Sequence, residues 1–161
     1  MSIFAKALPA PKEKTANTRH ISLLYAAILV VFLVAQLFTF DEFTALILSF
    51  NLPFSDKGVL VIAPLLVMAE LFALPFLLRM KLSFAFRWLS MLFGWLVPVL
   101  WLFTSSWVVS TQPGAETVGF LGTVVSVIPG WWAIFVSIAL GILAIWASWG
   151  MWPGRYVRNK K

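Results

Sequence analysis

The sequence predicts an all-α membrane protein, a four-transmembrane-helix bundle with a short outer interfacial helix after the first span. Of its 161 residues, 61% are hydrophobic and 11% are charged, whereas soluble domains have about 45–50% apolar and 25% charged residues. Its four apolar runs are long enough to cross a bilayer, since about 20 residues span a hydrocarbon core of about 30 Å. Its basic residues flank these runs instead of forming a continuous face.

Four apolar segments form one membrane domain. The predicted spans are residues 21–40, 58–80, 84–109 and 131–152. Pro64 and Pro75 interrupt the second span and Pro98 the third. A proline lacks the backbone donor of its turn, so the carbonyl group four residues earlier needs a partner from a neighbouring helix. We therefore expect kinks in both spans.

The basic residues predict the orientation. Eleven of the twelve Lys and Arg residues lie in the cytoplasmic tail 1–20, the connection between the second and third spans, or the basic tail 153–161, and Lys57 lies on the other side. Cytoplasmic flanks carry such an excess of basic residues. The pattern predicts a multi-pass protein of the bacterial inner-membrane type with both termini cytoplasmic. Membrane lipids are then its surroundings, and nucleic acid is not an expected partner because no basic face exists.

Two outer segments are too short to span. Asp41 is placed as an N-cap and Asn51-Leu52-Pro53 as a stop for a helix whose apolar residues recur at helical spacing, namely Phe43, Leu46, Ile47 and Phe50. This spacing predicts an amphipathic helix in the outer interface. The apolar stretch 119–130 has about a dozen residues, which predicts a re-entrant or interfacial piece.

Glu70 is the one ionisable residue well inside a predicted span. An ionised carboxylate there costs at least about 2.5–3.5 kcal/mol, so it must be paired, hydrated or protonated. Counting about 1.5 Å per helical residue puts Ser90 near its depth and Arg87 one turn nearer the cytoplasm. We predict a Glu70–Arg87 ion pair, with Ser90 or Tyr25 as hydrogen-bond partners. The group is either a structural tie or a proton, ligand or quinone site.

Other polar and aromatic residues in the spans are expected to serve packing. Gln36 is predicted to donate a hydrogen bond between helices, with contact to a ligand as the alternative. Trp101 is placed with other tryptophans at the outer interface, where amphipathic rings collect. Trp95 and Trp146 lie deeper, either in the core or beside a lipid or quinone groove.

Small residues recur along the fourth span. They follow the spacing i, i+4, i+7 and i+11 and are Ser137, Gly141, Ala144 and Ser148. Such a stripe lets another backbone approach closely. The neighbour is a helix of the same bundle or of a partner.

Catalytic patterns are missing from the sequence. It contains no zincin, nucleophile-elbow or Walker-type motif. It has one histidine, His20, and no cysteine, which excludes disulfides and thiolate metal sites. We expect no catalytic residue, no metal and no cofactor of its own, and we leave contact with a quinone or lipid open.

The stretches FDEFTALILSFNLP and APLLVMAELFALPFLLRMK resemble the DoxX-like superfamily of small four-helix membrane proteins, and most of all its MauE-type branch. The matching features are Phe43, Leu52-Pro53, Glu70, and the basic turn at Arg79 and Lys81. This resemblance implies an accessory role in electron transfer or protein maturation, beside partners that handle quinones or thiols.

Two functions are therefore expected. The first is a non-catalytic accessory subunit of a membrane redox or protein-maturation complex, bound to other membrane subunits. The alternative is a small transporter or a lipid- or quinone-binding membrane protein that uses Glu70.

Overall fold

The computed structural model describes residues 14–53, 56–112, 114–115, 117–125 and 128–152. Over these residues the fold is all-helical, with helices α1 (Ala16–Phe38), α2 (Phe40–Ser49), α3 (Asp56–Leu77), α4 (Phe84–Thr111) and α5 (Trp131–Gly150). All but α2 are long and apolar enough to cross a membrane. The predicted fold class is confirmed.

The four long helices close into a ring. Helix α3 packs between α1 and α4, and α5 packs between α4 and α1. The backbone N–H of Lys14 donates to the carbonyl of Gly150 over 3.3 Å. The beginning of α1 and the end of α5 therefore lie at the same end of the bundle.

The largest differences from the predicted helix boundaries are at the start of α1 and the end of α3. Helix α1 begins at Ala16 instead of Ile21, so the last residues of the expected tail are helical, while residues 1–13 and the tail 153–161 lie outside the described residues. Helix α3 ends at Leu77 instead of Met80. Arg79 has a left-handed backbone with φ 59°, a conformation that commonly ends helices.

Helix α2 begins two residues earlier than an N-cap at Asp41 predicts. Thr39 occupies the N-cap, and Asp41 lies in the first turn together with Glu42. The prediction of Asp41 as the N-cap is therefore wrong. Both acidic side chains are exposed at the positive end of the helix dipole, where negative charge is favourable.

The apolar face of α2 is the one that the spacing predicts. Phe43, Ile47 and Phe50 are each at most 1% exposed and pack against the bundle. The chain leaves the helix at Asn51, which has φ 43°, as expected of a residue that tolerates the left-handed region.

The carbonyl group freed by Pro98 has a partner from another helix. Pro98 cannot donate to the carbonyl of Gly94. The hydroxyl of Tyr25 in α1 donates to that oxygen over 2.7 Å. Tyr25 is fully buried, and its hydroxyl joins α1 to the proline turn of α4.

Ser90 in α4 fills the turn of α3 that contains Pro75. Its hydroxyl donates to the carbonyl of Phe72 over 2.6 Å and accepts from the backbone N–H of Phe76 over 3.0 Å. In an uninterrupted helix these two backbone groups would bond to each other. The Ser90 side chain is thus inserted into the hydrogen-bond ladder of α3.

Candidate functional site

The carboxyl group of Glu70 lies at the centre of the bundle, where three helices meet. Its Oε1 atom accepts a hydrogen bond from Nε2 of Gln36 in α1 over 3.1 Å. The same oxygen accepts one from Nε1 of Trp101 in α4 over 3.2 Å. All three side chains are 0% exposed. The carboxyl group therefore holds α1, α3 and α4 together through two neutral donors.

Gln36 extends this cluster to the connection between α4 and α5. Its Nε2 atom also donates to the carbonyl of Phe120 over 3.2 Å, so both N–H bonds of the amide are used. The segment 117–125 that contains Phe120 has turns but no helix. Its residues from Thr117 to Phe120 are buried, so protein covers the irregular backbone there.

Two glycines shape this segment. Gly119 has φ 92° and Gly122 has φ 58°, a region that side chains other than glycine rarely adopt. A Cβ atom on Gly122 would lie 2.6 Å from Oγ1 of Thr39 and 2.9 Å from the carbonyl oxygen of Ala35. The segment can approach α1 this closely only because residue 122 has no side chain.

An aromatic shell covers the polar cluster. The rings of Trp101 and Phe120 are 4.4 Å apart between centroids, and Phe32 lies 5.5 Å from Phe120. The ring of Phe43 in α2 packs against Trp101, with 6.5 Å between the ring centroids. Trp101 was predicted at the outer interface, but it is buried, because its indole N–H binds Glu70 instead of reaching water. The shell lies between Glu70 and the end of the bundle that carries the α4–α5 connection.

Two acceptor atoms in the cluster lack a partner. Oε2 of Glu70 and Oε1 of Gln36 are both buried, and neither has a hydrogen-bond partner among the described residues. Unpaired buried acceptors cost about 1–3 kcal/mol each. The cluster is therefore short of donors.

The Glu70 partners predicted from helix depth are not the ones that the structure shows. Tyr25 and Ser90 serve the proline turns, and the hydrogen bonds to the carboxyl group come from Gln36 and Trp101. The oxygens of Glu70 accept only these two hydrogen bonds among the described residues. The expected Glu70–Arg87 ion pair is therefore a wrong prediction.

The register of α3 against α4 explains this difference. Ser90 bonds to the backbone of Phe76, and a Cβ atom on Gly94 would lie 3.8 Å from that of Ala73. Continuing this antiparallel register places Glu70 opposite the region of Val97. Arg87 is then ten residues away along α4, about 15 Å at 1.5 Å per residue.

The small residues of α5 lie where this helix packs against α4. The hydroxyls of Ser137 and Ser105 are 3.4 Å apart, and Nε1 of Trp95 donates to Oγ of Ser148 over 2.7 Å. Gly141 faces Pro98. Ala144 is 4% exposed. The stripe therefore joins two helices of the same bundle.

An apolar groove runs along the outside of this helix pair. Its volume is about 490 Å³. It is lined mainly by residues of the α4–α5 contact, namely Trp95, Pro98, Val99, Gly141, Ile142 and Ile145. Trp95 is 39% exposed and Trp146 is 51% exposed, so the alternative of core packing is wrong for both.

The four long apolar helices define a multi-pass α-helical membrane protein, with an enclosed Glu70–Gln36–Trp101 cluster at its centre. We found no protein-family model, no curated protein and no solved structure that matches the chain.

Proposed function

We propose that this chain is a non-catalytic integral membrane accessory subunit of a membrane redox or protein-maturation complex. The observation that carries the proposal is the use of its central polar residues. Glu70, Gln36 and Trp101 are fully buried and bonded to one another. These side chains bond the helices to one another. A protein whose central polar groups are used in this way would act through its outer surface.

The surface that would receive a partner is the α4–α5 groove. It is lined by Trp95, a large amphipathic ring that is 39% exposed in the middle of α4. Tryptophan is enriched where protein surfaces bind one another. The resemblance to DoxX-like and MauE-type proteins supports a redox or maturation partner. Since the chain has no cysteine, any thiol chemistry would belong to that partner.

The orientation is also a proposal. The beginning of α1 and the end of α5 lie on the same side of the bundle, because the backbone N–H of Lys14 donates to the carbonyl of Gly150. This side carries the basic flanks of the sequence, which favours a cytoplasmic location in a bacterial inner membrane. Fusion of a reporter that folds only in the periplasm to either terminus should give an inactive reporter, and activity at one terminus would contradict the proposal.

A second candidate is supported by a separate observation. The unpartnered oxygens of Glu70 and Gln36 are what a small transporter or a lipid- or quinone-binding protein would use to hold a donor group. In this case the groove beside Trp95 would hold an isoprenoid or acyl chain instead of a protein helix.

Site-specific photo-cross-linking in membranes tests the two candidates. A cross-linker at Ile142, which is 55% exposed in the groove, is compared with one at Val31 of α1, which is 56% exposed. We expect Ile142, and not Val31, to give a defined adduct with a polypeptide that carries a redox cofactor or a dithiol. Adducts with lipid or quinone alone would support the second candidate and contradict the first.

A further inference from the structure

The hydrogen-bond requirements of the Glu70 cluster are not met by its own donors. Both N–H bonds of Gln36 are used, one on Glu70 and one on Phe120. The indole N–H of Trp101 is used on Oε1 of Glu70. Within the described part of the chain, Oε2 of Glu70 and Oε1 of Gln36 stay without a donor. An ionised carboxylate and an amide oxygen can only accept, so they cannot satisfy each other.

The surrounding elements bring no ionisable donor of their own to this point. Helix α5 and the segment 117–125 contain no ionisable residue. In α1, the Tyr25 hydroxyl donates to Gly94. Asp41 and Glu42 of α2 are exposed. Arg87 of α4 lies about 15 Å along the helix from the level of Glu70.

A protonated carboxyl group changes this balance. It gains one O–H donor while its other oxygen still accepts. A proton on Oε2 adds one donor to the cluster, and the existing bond from Nε2 of Gln36 to Oε1 of Glu70 stays as it is. One proton thus supplies the kind of group that the two unpartnered oxygens lack.

We infer that Glu70 is a proton-binding site, with its proton on Oε2 hydrogen bonded to Oε1 of Gln36. This site goes beyond an accessory role, since it assigns a chemical occupant to the centre of the bundle. Phe120 closes it toward the outer end, because its carbonyl binds Gln36 and its ring covers Trp101. The same residue also lines an apolar pocket of about 210 Å³.

Infrared spectroscopy of the full chain in lipid tests the inference without knowledge of the function. At neutral pH, where exposed carboxyl groups are ionised, we expect one carbonyl stretching band of a protonated carboxylic acid. The band should shift in D₂O, be lost in Glu70→Gln, and stay in the control Glu42→Gln, whose site is exposed. In Gln36→Leu it should move to the frequency of a less strongly hydrogen-bonded acid.

A second measurement uses the unaltered chain, so it does not depend on whether a variant folds. Carbon-13 labelling of the glutamate carboxyl groups alone should shift the same band in the unaltered chain, since the candidate is a glutamate and not an aspartate. Only ionised carboxylate bands at neutral pH would overturn the inference. A protonated band that survives in folded Glu70→Gln, or that does not move in folded Gln36→Leu, would also overturn it. These outcomes are independent of whether a partner cross-links to the groove.

Discussion

Two replacements of Glu70 distinguish the contribution of its hydrogen bonds to stability from that of its ionisable group. Glu70→Gln keeps an oxygen that accepts from Gln36 and Trp101, and its new amide N–H₂ can donate to the unpartnered Oε1 of Gln36. Glu70→Leu keeps a similar side-chain size but removes both acceptor bonds. We expect the Gln variant to be tolerated and the Leu variant to be less stable.

The size of the loss follows from the two bonds that end on Oε1. Measured intramembrane hydrogen bonds average about 0.6 kcal/mol with a maximum of about 1.7. Two of them give about 1–3 kcal/mol for Glu70→Leu. The Gln variant should lie within about 0.5 kcal/mol of the unaltered chain, because it loses no bond.

Reversible unfolding in mixed detergent micelles, followed by helical circular dichroism, measures these free energies. A double-mutant cycle with Gln36→Leu isolates the interaction between the two side chains. We expect a coupling of about 0.6 kcal/mol for each hydrogen bond between them. The exposed Glu42→Gln serves as a control and should change stability by less than about 0.5 kcal/mol.

Two results would refute this reasoning. If Glu70→Leu is as stable as the unaltered chain, the buried hydrogen bonds do not hold the three helices together. If Gln36→Leu and Glu70→Leu add without coupling, the two side chains do not interact in the folded bundle.

Two further predictions concern the proline turn of α4 and the outer segment. Tyr25→Phe should cost about 0.6–1.7 kcal/mol, because it leaves the carbonyl freed by Pro98 without a donor, and the cost should fall when Pro98→Ala restores that donor. Equal costs in both backgrounds, measured by unfolding, would contradict this role of the Tyr25 hydroxyl. Gly122→Ala should cost about 1–3 kcal/mol, because it forces a side chain into a left-handed backbone and against α1. Gly114→Ala is the matched control, since a Cβ atom there meets nothing within 4 Å, and similar values for both would contradict the close approach.

Local chemistry determined much of this protein. A bilayer requires apolar helices of about 20 residues, so the four spans could be predicted from the sequence without any tertiary information. The spacing of Phe43, Ile47 and Phe50 predicted the buried face of α2, because helical periodicity is a local property. The proline rule predicted that the Gly94 carbonyl would need an outside partner, and the Tyr25 hydroxyl is that partner.

Only the tertiary structure decided which groups meet at Glu70. Depth in a span can be counted, but the direction of a side chain depends on the rotation of each helix and on the register between helices, neither of which a single span encodes. The sequence therefore indicated a buried acid and favoured Arg87, whereas packing brought Gln36 and Trp101 to it. The segment 117–125 has no helical or strand period, so its insertion against Gln36 through Phe120 follows from the space that the helices leave, a property of the whole bundle.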